Sequence, residues 1–272
     1  MGKDSQLVDN ALVARNLVTG YGGDPILNGV DVDIPAGQIT ALIGPNGCGK
    51  STLLKALGNQ LAADSGEVLL NDRPLKNFGS RELARHVSFL PQRPTVPEDI
   101  TVRELIGFGR YAYTGAFAGM RTKDHHAVES AAQLTRVDEL LDIPATELSG
   151  GQAQRAWIAM TVAQEAPILL LDEPTTYLDP AHQLSVLHLI KRLNEEGRTV
   201  AMVLHDMVQA VRFADNVVAM KDGSIVAAGS SRDMLTAELI GDIFDVECLH
   251  VEDPAIGAML PVPFEIKTNE EV

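Results

Sequence analysis

Nine residues, Gly44 to Thr52 (GPNGCGKST), restrict the folds open to this chain more than any others. They match the pattern G-x-x-x-x-G-K-[ST]. They lie directly after the β-type run Ile39 to Ile43 and directly before the helical pattern Lys50 to Leu61, the setting in which that pattern closes around phosphate. Glycine lets successive backbone N–H groups face one anion, and the helix start adds the positive end of its dipole. Gly44, Pro45, Asn46, Gly47, Cys48 and Gly49 therefore form the candidate cradle. Lys50 is placed to reach β- and γ-phosphates, Thr52 closes the motif, and the Ser51 hydroxyl is a candidate Mg²⁺ ligand. Cys48, at a helix start beside Lys50, is expected to be a more reactive thiol than Cys248.

The rest of the chain repeats the strand-then-helix alternation. Ile168 to Asp172 precedes Ala181 to Asn194, and Thr199 to Leu204 precedes Met207 to Phe213, followed by Asn216 to Ala219. Alternation of this kind implies a parallel α/β sheet, and the unbroken apolar character at 168 and 199 fits strands covered on both faces. Between Pro94 and Ala163 the pattern becomes helical (Val102 to Gly109, Lys123 to Thr135, Gly150 to Ala163), which reads as an insertion into the α/β core. The expected division is 1–93 with 164–246 as core, 94–163 as a helical subdomain and 247–272 as a short, irregular extension rich in proline. His125-His126 reads as a solvated pair, and Met202, Met207 and Met220 as core filling.

A second chemical site is carried by ILLLDEPTT, Ile168 to Thr176, where an apolar strand delivers Asp172 and Glu173 to its carboxyl end, the end at which open α/β sheets hold ligands. Asp172 suits the Mg²⁺ side of a nucleotidase, and Glu173 suits the polarisation of an attacking water. A third segment, ELSGGQAQR (Glu147 to Arg155), places Ser149, Gly150, Gly151 and Gln152 at a helix start, a second anion-binding nest.

Charge narrows the partners. With 22 Lys+Arg against 37 Asp+Glu the chain carries −15, a field that repels nucleic acid backbones and anionic lipid. Its longest apolar runs fall well short of the ~20 residues that cross a bilayer. Two cysteines make no disulfide framework, and no secretory leader is seen, so a cytoplasmic setting is expected.

LSGGQ, its position after the phosphate loop and its spacing of about twenty residues before the acidic strand resemble the ATP-binding cassette (ABC) ATPases. That resemblance implies a RecA-like P-loop core of mixed sheet with an inserted helical subdomain. It further assigns Tyr21 to adenine stacking, Gln92 (in SFLPQ) to metal and water, Asp179 (in TTYLDP) to the opposite subunit, and His205 (in VLHD) to the γ-phosphate. It implies a head-to-tail homodimer in which ATP on Gly44 to Thr52 of one copy is covered by Ser149 to Gln152 of the other. RYAYTGAF, TTYLDPAHQ and VEDPAIGAMLPVP resemble the ATPases of iron-siderophore, haem and cobalamin importers. The implied setting is the cytoplasmic face of a bacterial-type membrane, with permease subunits and, indirectly, a substrate-binding protein as partners. A soluble ABC-type assembly or regulatory module is the alternative.

Overall fold

The computed structural model describes residues 9–92, 94–95, 98–114 and 119–267. The first part runs through β1 (Asn10–Thr19), β2 (Leu27–Pro35), β3 (Ile39–Ile43), α1 (Lys50–Leu57), β4 (Ser65–Leu70) and β5 (Arg73–Pro74). The middle holds α2 (Ser80–Leu83), β6 (Val87–Leu90), α3 (Val102–Gly107), α4 (Thr122–Thr135), α5 (Gly150–Ala163), β7 (Ile168–Leu171), α6 (Pro180–Glu195) and β8 (Thr199–Val203). The last part adds α7 (Met207–Phe213), β9 (Asn216–Lys221), β10 (Ser224–Ser230), α8 (Ser231–Met234), α9 (Ala237–Phe244), β11 (Val246–Asp253) and β12 (Ala258–Ile266). The first and last parts, up to Leu75 and from His205 on, make one compact unit, and Lys76–Leu204 makes another.

In the first unit β3 pairs with β9 in parallel, from Thr40 opposite Asn216 to Ile43 opposite Ala219. β10 then returns antiparallel to β9 through Asp222 and Gly223, both at positive φ (49° and 74°), as a two-residue hairpin turn demands. All five residues of β3 are buried, Thr40 among them, as in a strand covered on both faces. A second, antiparallel sheet has the order β2-β1-β4-β5. α1 ends at Leu57 rather than Leu61, because Gly58 and then Asn59, at φ 55°, turn the chain out of the helix.

In the second unit β6, β7 and β8 pair in parallel, Val87 opposite Ile168 and Ile168 opposite Thr199. β7 and β8 are buried throughout. α3, α4 and α5 pack on one another around Leu105, Val128, Ala132 and Ile158. α5 has the bounds its sequence predicts, while α3 gives way at Phe108–Arg110 to a 3-10 turn. There Gly109 meets α5 so closely that a Cβ would stand 2.2 Å from the Met160 carbonyl oxygen.

Behind that turn lies a buried charge cluster. Arg110, 2% exposed, donates from Nε to Asp124 Oδ1 at 3.1 Å and from Nη1 to the Ala163 carbonyl at 2.7 Å and Glu165 Oε2 at 2.6 Å. The Tyr113 ring covers the same guanidinium, its centroid 4.1 Å away, and Arg85 lies 5.5 Å from that ring. Tyr113 is thus a packing residue of the helical insertion, whereas Tyr111 is 67% exposed and Phe117 lies outside the described residues.

The C-terminal stretch corrects one expectation. Val246–Asp253 and Ala258–Ile266 form an antiparallel hairpin, not an irregular tail. Pro261 and Pro263 fit within β12 because a two-stranded ribbon consists wholly of edges, where a missing N–H interrupts no interior ladder. Met202, Met207 and Met220 are buried, as core filling requires.

Candidate functional site

In the first unit the phosphate loop springs from β3 and ends at Gly49, whose φ of 102° caps α1 without a side chain. Gly44 has φ 146°, and a Cβ there would stand 2.1 Å from the Met220 carbonyl oxygen, so no other residue fits. The Cys48 carbonyl accepts from the Gly223 N–H at 3.1 Å, pinning the loop to the β9–β10 turn. Lys50, 5% exposed, donates to the Gly44 and Pro45 carbonyls at 2.8 and 2.7 Å. Its ammonium is therefore held over the mouth of its own loop, where it would meet an arriving phosphate. Cys48 Sγ is 3.8 Å from Lys50 Nζ, and the residue is only 4% exposed, so burial restricts the access that a reactive thiol needs. Thr52 is buried and Ser51 half-buried in the first turn.

Tyr21 lies between β1 and β2 and is 59% exposed. Lys55 Nζ donates to its hydroxyl at 3.3 Å and stands 5.5 Å from the ring centroid, which leaves a supported aromatic face. His205, exposed, lies two residues past β8 and precedes Asp206, whose carboxylate caps α7 by accepting from Val208 and Gln209 N–H groups.

In the second unit three candidate segments come together. Ser149 caps α5 in a reciprocal box: the Gln152 N–H donates to Ser149 Oγ at 3.4 Å, and the Ser149 N–H donates to Gln152 Oε1 at 2.9 Å. The Gly150 and Gly151 backbone is exposed or half-exposed at that helix start. On the next turn, Gln154 Nε2 donates to the Pro174 carbonyl at 2.9 Å, tying α5 to the loop after β7. Asp172, 1% exposed, ends β7. Glu173 follows at φ 53°, a left-handed backbone that costs a non-glycine residue strain, and its Oε2 accepts from Thr176 Oγ1 at 2.9 Å. Asp179 caps α6, where the His182 N–H first and the His182 ring second hold its carboxyl below the ordinary range. Gln92 is exposed, two residues past β6.

Gln154, Thr176 and His182 went unrecognised in the sequence. Their partners lie 20, 3 and 3 residues away, and QAQR or DPAH carries no pattern of chemistry by itself. Lys55 could have been found only through its fold contact with Tyr21, 34 residues away.

A glycine loop feeding α1, a Ser-Gly-Gly-Gln helix start and an acidic strand end tied to it, on an α/β core with inserted helices, define an ATP-binding cassette. The ABC transporter family profile matches residues 27–176, and the chain belongs to that family. It is 46% identical over 253 residues, 93% of each chain, to the ferric enterobactin transport ATP-binding protein FepC of Escherichia coli. It is 39% identical to the iron(3+)-hydroxamate import ATP-binding protein FhuC of Bacillus subtilis, covering 96% of this chain and 98% of that one. The hemin import ATP-binding protein HmuV of Streptomyces coelicolor is 38% identical, over 92% and 89%. Among solved structures, a chain of an inward-facing transporter described as metal-chelate type aligns over 94% and 98% at a TM-score of 0.81 and 28% identity. A dimeric bacterial ABC transporter cassette aligns over 81% and 99% at 0.73 and 28%.

Proposed function

We propose that this chain is the ATP-hydrolysing subunit of an importer for ferric siderophores or kindred metal chelates. The observation that carries the reading is the presence, in one order along one chain, of GPNGCGKST, SFLPQ, LSGGQ, ILLLDEP and VLHD. Identity of 46% to a ferric enterobactin transport ATP-binding protein points to the cargo class.

In this reading Gly44 to Thr52 hold the phosphates through backbone N–H groups and the Lys50 ammonium, and Tyr21 stacks on adenine. Glu173 accepts the proton as a water oxygen bonds to the γ-phosphorus and the bond to the β–γ bridging oxygen breaks, while His205 steadies the γ-phosphate. Ser51, Gln92 and Asp172 offer a hydroxyl, an amide oxygen and a carboxylate, the hard oxygen donors that Mg²⁺ prefers, and would hold it. The ion, when bound, neutralises charge on the phosphates.

Two separate anion-binding helix starts in one chain suit a homodimer. ATP on the loop of one copy is then covered by Ser149 to Gln152 of the other, with Asp179 facing the partner. Loss of the γ-phosphate removes what both copies grip, and the dimer opens. No helix among the described residues is long and apolar enough to cross a membrane, so the reading requires permease subunits, bound at the cytoplasmic face, and a substrate-binding protein to deliver the chelate.

Co-expression with the permease subunits of a ferric siderophore importer tests the assignment. They should co-purify with this chain, and ferric siderophore uptake into vesicles should require ATP and this chain. A stable complex with soluble proteins alone, with ATPase activity indifferent to the permease, would favour an assembly module instead.

A further inference from the structure

A groove of about 400 Å³ opens in the second unit, where the C-terminal end of α4, the first half of α5 and the outer length of α6 meet. Arg136, just past α4, Arg155 on α5 and Arg192 on α6 line it together with His188, and none of the lining residues is an Asp or a Glu. The unit's arginine ion pairs engage Arg103 and Arg110 instead, and none of the three groove arginines joins one among the described residues. Arg155 Nε is buried without a hydrogen-bond partner among those residues. A buried donor with no acceptor is the exception in folded proteins, and this one lies behind the groove's surface rather than on its open face.

On a chain with 37 acidic and 22 basic residues, a concavity lined by one positive sign is a local reversal of the overall field. Such a cleft focuses potential and concentrates anions. Guanidinium groups keep their charge at any physiological pH, and their planar donors match carboxylate or phosphate oxygens in pairs. Leu184 and Leu189 add apolar surface to a lining that is otherwise more polar than apolar, and the volume falls in the size range of small-ligand sites.

We propose that this groove binds a small organic anion that carries carboxylate or phosphate groups on an apolar body. The site is distinct from the phosphate loop, which lies in the other unit. Arg155 belongs to the helix that begins at Ser149, and α6 begins at Asp179, so an anion bridging them would bear on both segments.

Calorimetric titration of the full chain tests the proposal, with the phosphate loop first saturated by Mg-ADP in a separately verified step. Tricarballylate serves as the carboxylate probe and phenyl phosphate as the phosphate probe. Whichever binds identifies the oxyanion, and its affinity should fall as salt is added. Arg136→Gln combined with Arg192→Gln, both at exposed positions, should weaken it by at least about tenfold, while Arg232→Gln in the other unit should leave it within about twofold. An unchanged unfolding midpoint for the double variant separates lost binding from lost fold. Equal affinity in the double variant overturns the proposal, as does the absence of heat with both probes. Binding of a Glu-rich peptide in place of both would overturn it too, by making the groove a surface for an acidic protein segment.

Discussion

His182 Nδ1 lies 2.6 Å from Asp179 Oδ2, while the His182 backbone N–H donates to Asp179 Oδ1 at 3.0 Å, so one carboxylate both caps α6 and holds the imidazole. The same ring packs beside the signature helix, its Cδ2 3.5 Å from where a Cβ on Gly151 would stand. The pair thus joins the start of α5 to the start of α6.

His182→Ala removes the ring hydrogen bond but keeps the backbone cap. The Asp179 carboxyl should rise part of the way toward its ordinary value of ~3.9, because the larger cause of its depression remains. Carboxyl chemical shifts followed against pH check this. No movement would mean that the ring contributes nothing.

Acid stability follows from the same sign. Asp179, Asp242 and Asp253 are held low by backbone N–H groups, Lys267 and Arg212. Burial pushes Asp124 up, but the Arg121 N–H and the Arg110 guanidinium outweigh it. A carboxyl depressed in the folded state stabilises fully above its unfolded value and loses that contribution as pH falls through the folded one. Urea denaturation should therefore show stability roughly level above pH ~5 and falling steadily below ~4.

Arg110→Ala leaves Asp124 buried without its ion-pair partner and should cost about 3–5 kcal/mol. The half-exposed Arg103, paired with Asp142 at 3.2 Å, should cost under ~1 kcal/mol when replaced by Ala. Chemical denaturation separates the two. Comparable losses would show that the Arg110 cluster is no more than a surface pair.

Tyr111→Ala, at an exposed ring, should leave stability within ~0.5 kcal/mol and reduce transport coupling if this face meets the permease. Tyr113→Ala should instead destabilise, since its ring covers Arg110. ATPase activity measured with and without permease, beside the unfolding midpoint, distinguishes the two. The reverse pattern would place the partner surface at Tyr113.

The parts of this structure legible in the sequence are those whose cause is local. Gly44 to Thr52 is contiguous, β7 and β8 are unbroken apolar runs, and Ser149 with Gln152 forms a capping box within one turn. The buried cluster was not legible, because Arg110 finds Asp124 and Glu165 at separations of 14 and 55 residues, and an arginine in a Gly/aromatic stretch reads as exposed. The C-terminal hairpin was hidden by its prolines, which break interior strands and spare ribbons. Strand β2 alternates buried and exposed positions, a weaker signal than the continuous runs beside it.

The rate of phosphate release by Glu173→Gln at saturating Mg-ATP, with bound ATP counted in the same samples, tests the central claim most directly. If Glu173 takes the proton from the attacking water, release should fall by a factor of about 10² or more while ATP stays bound, trapped in a dimer. Release near the unsubstituted rate with ATP bound normally would contradict it.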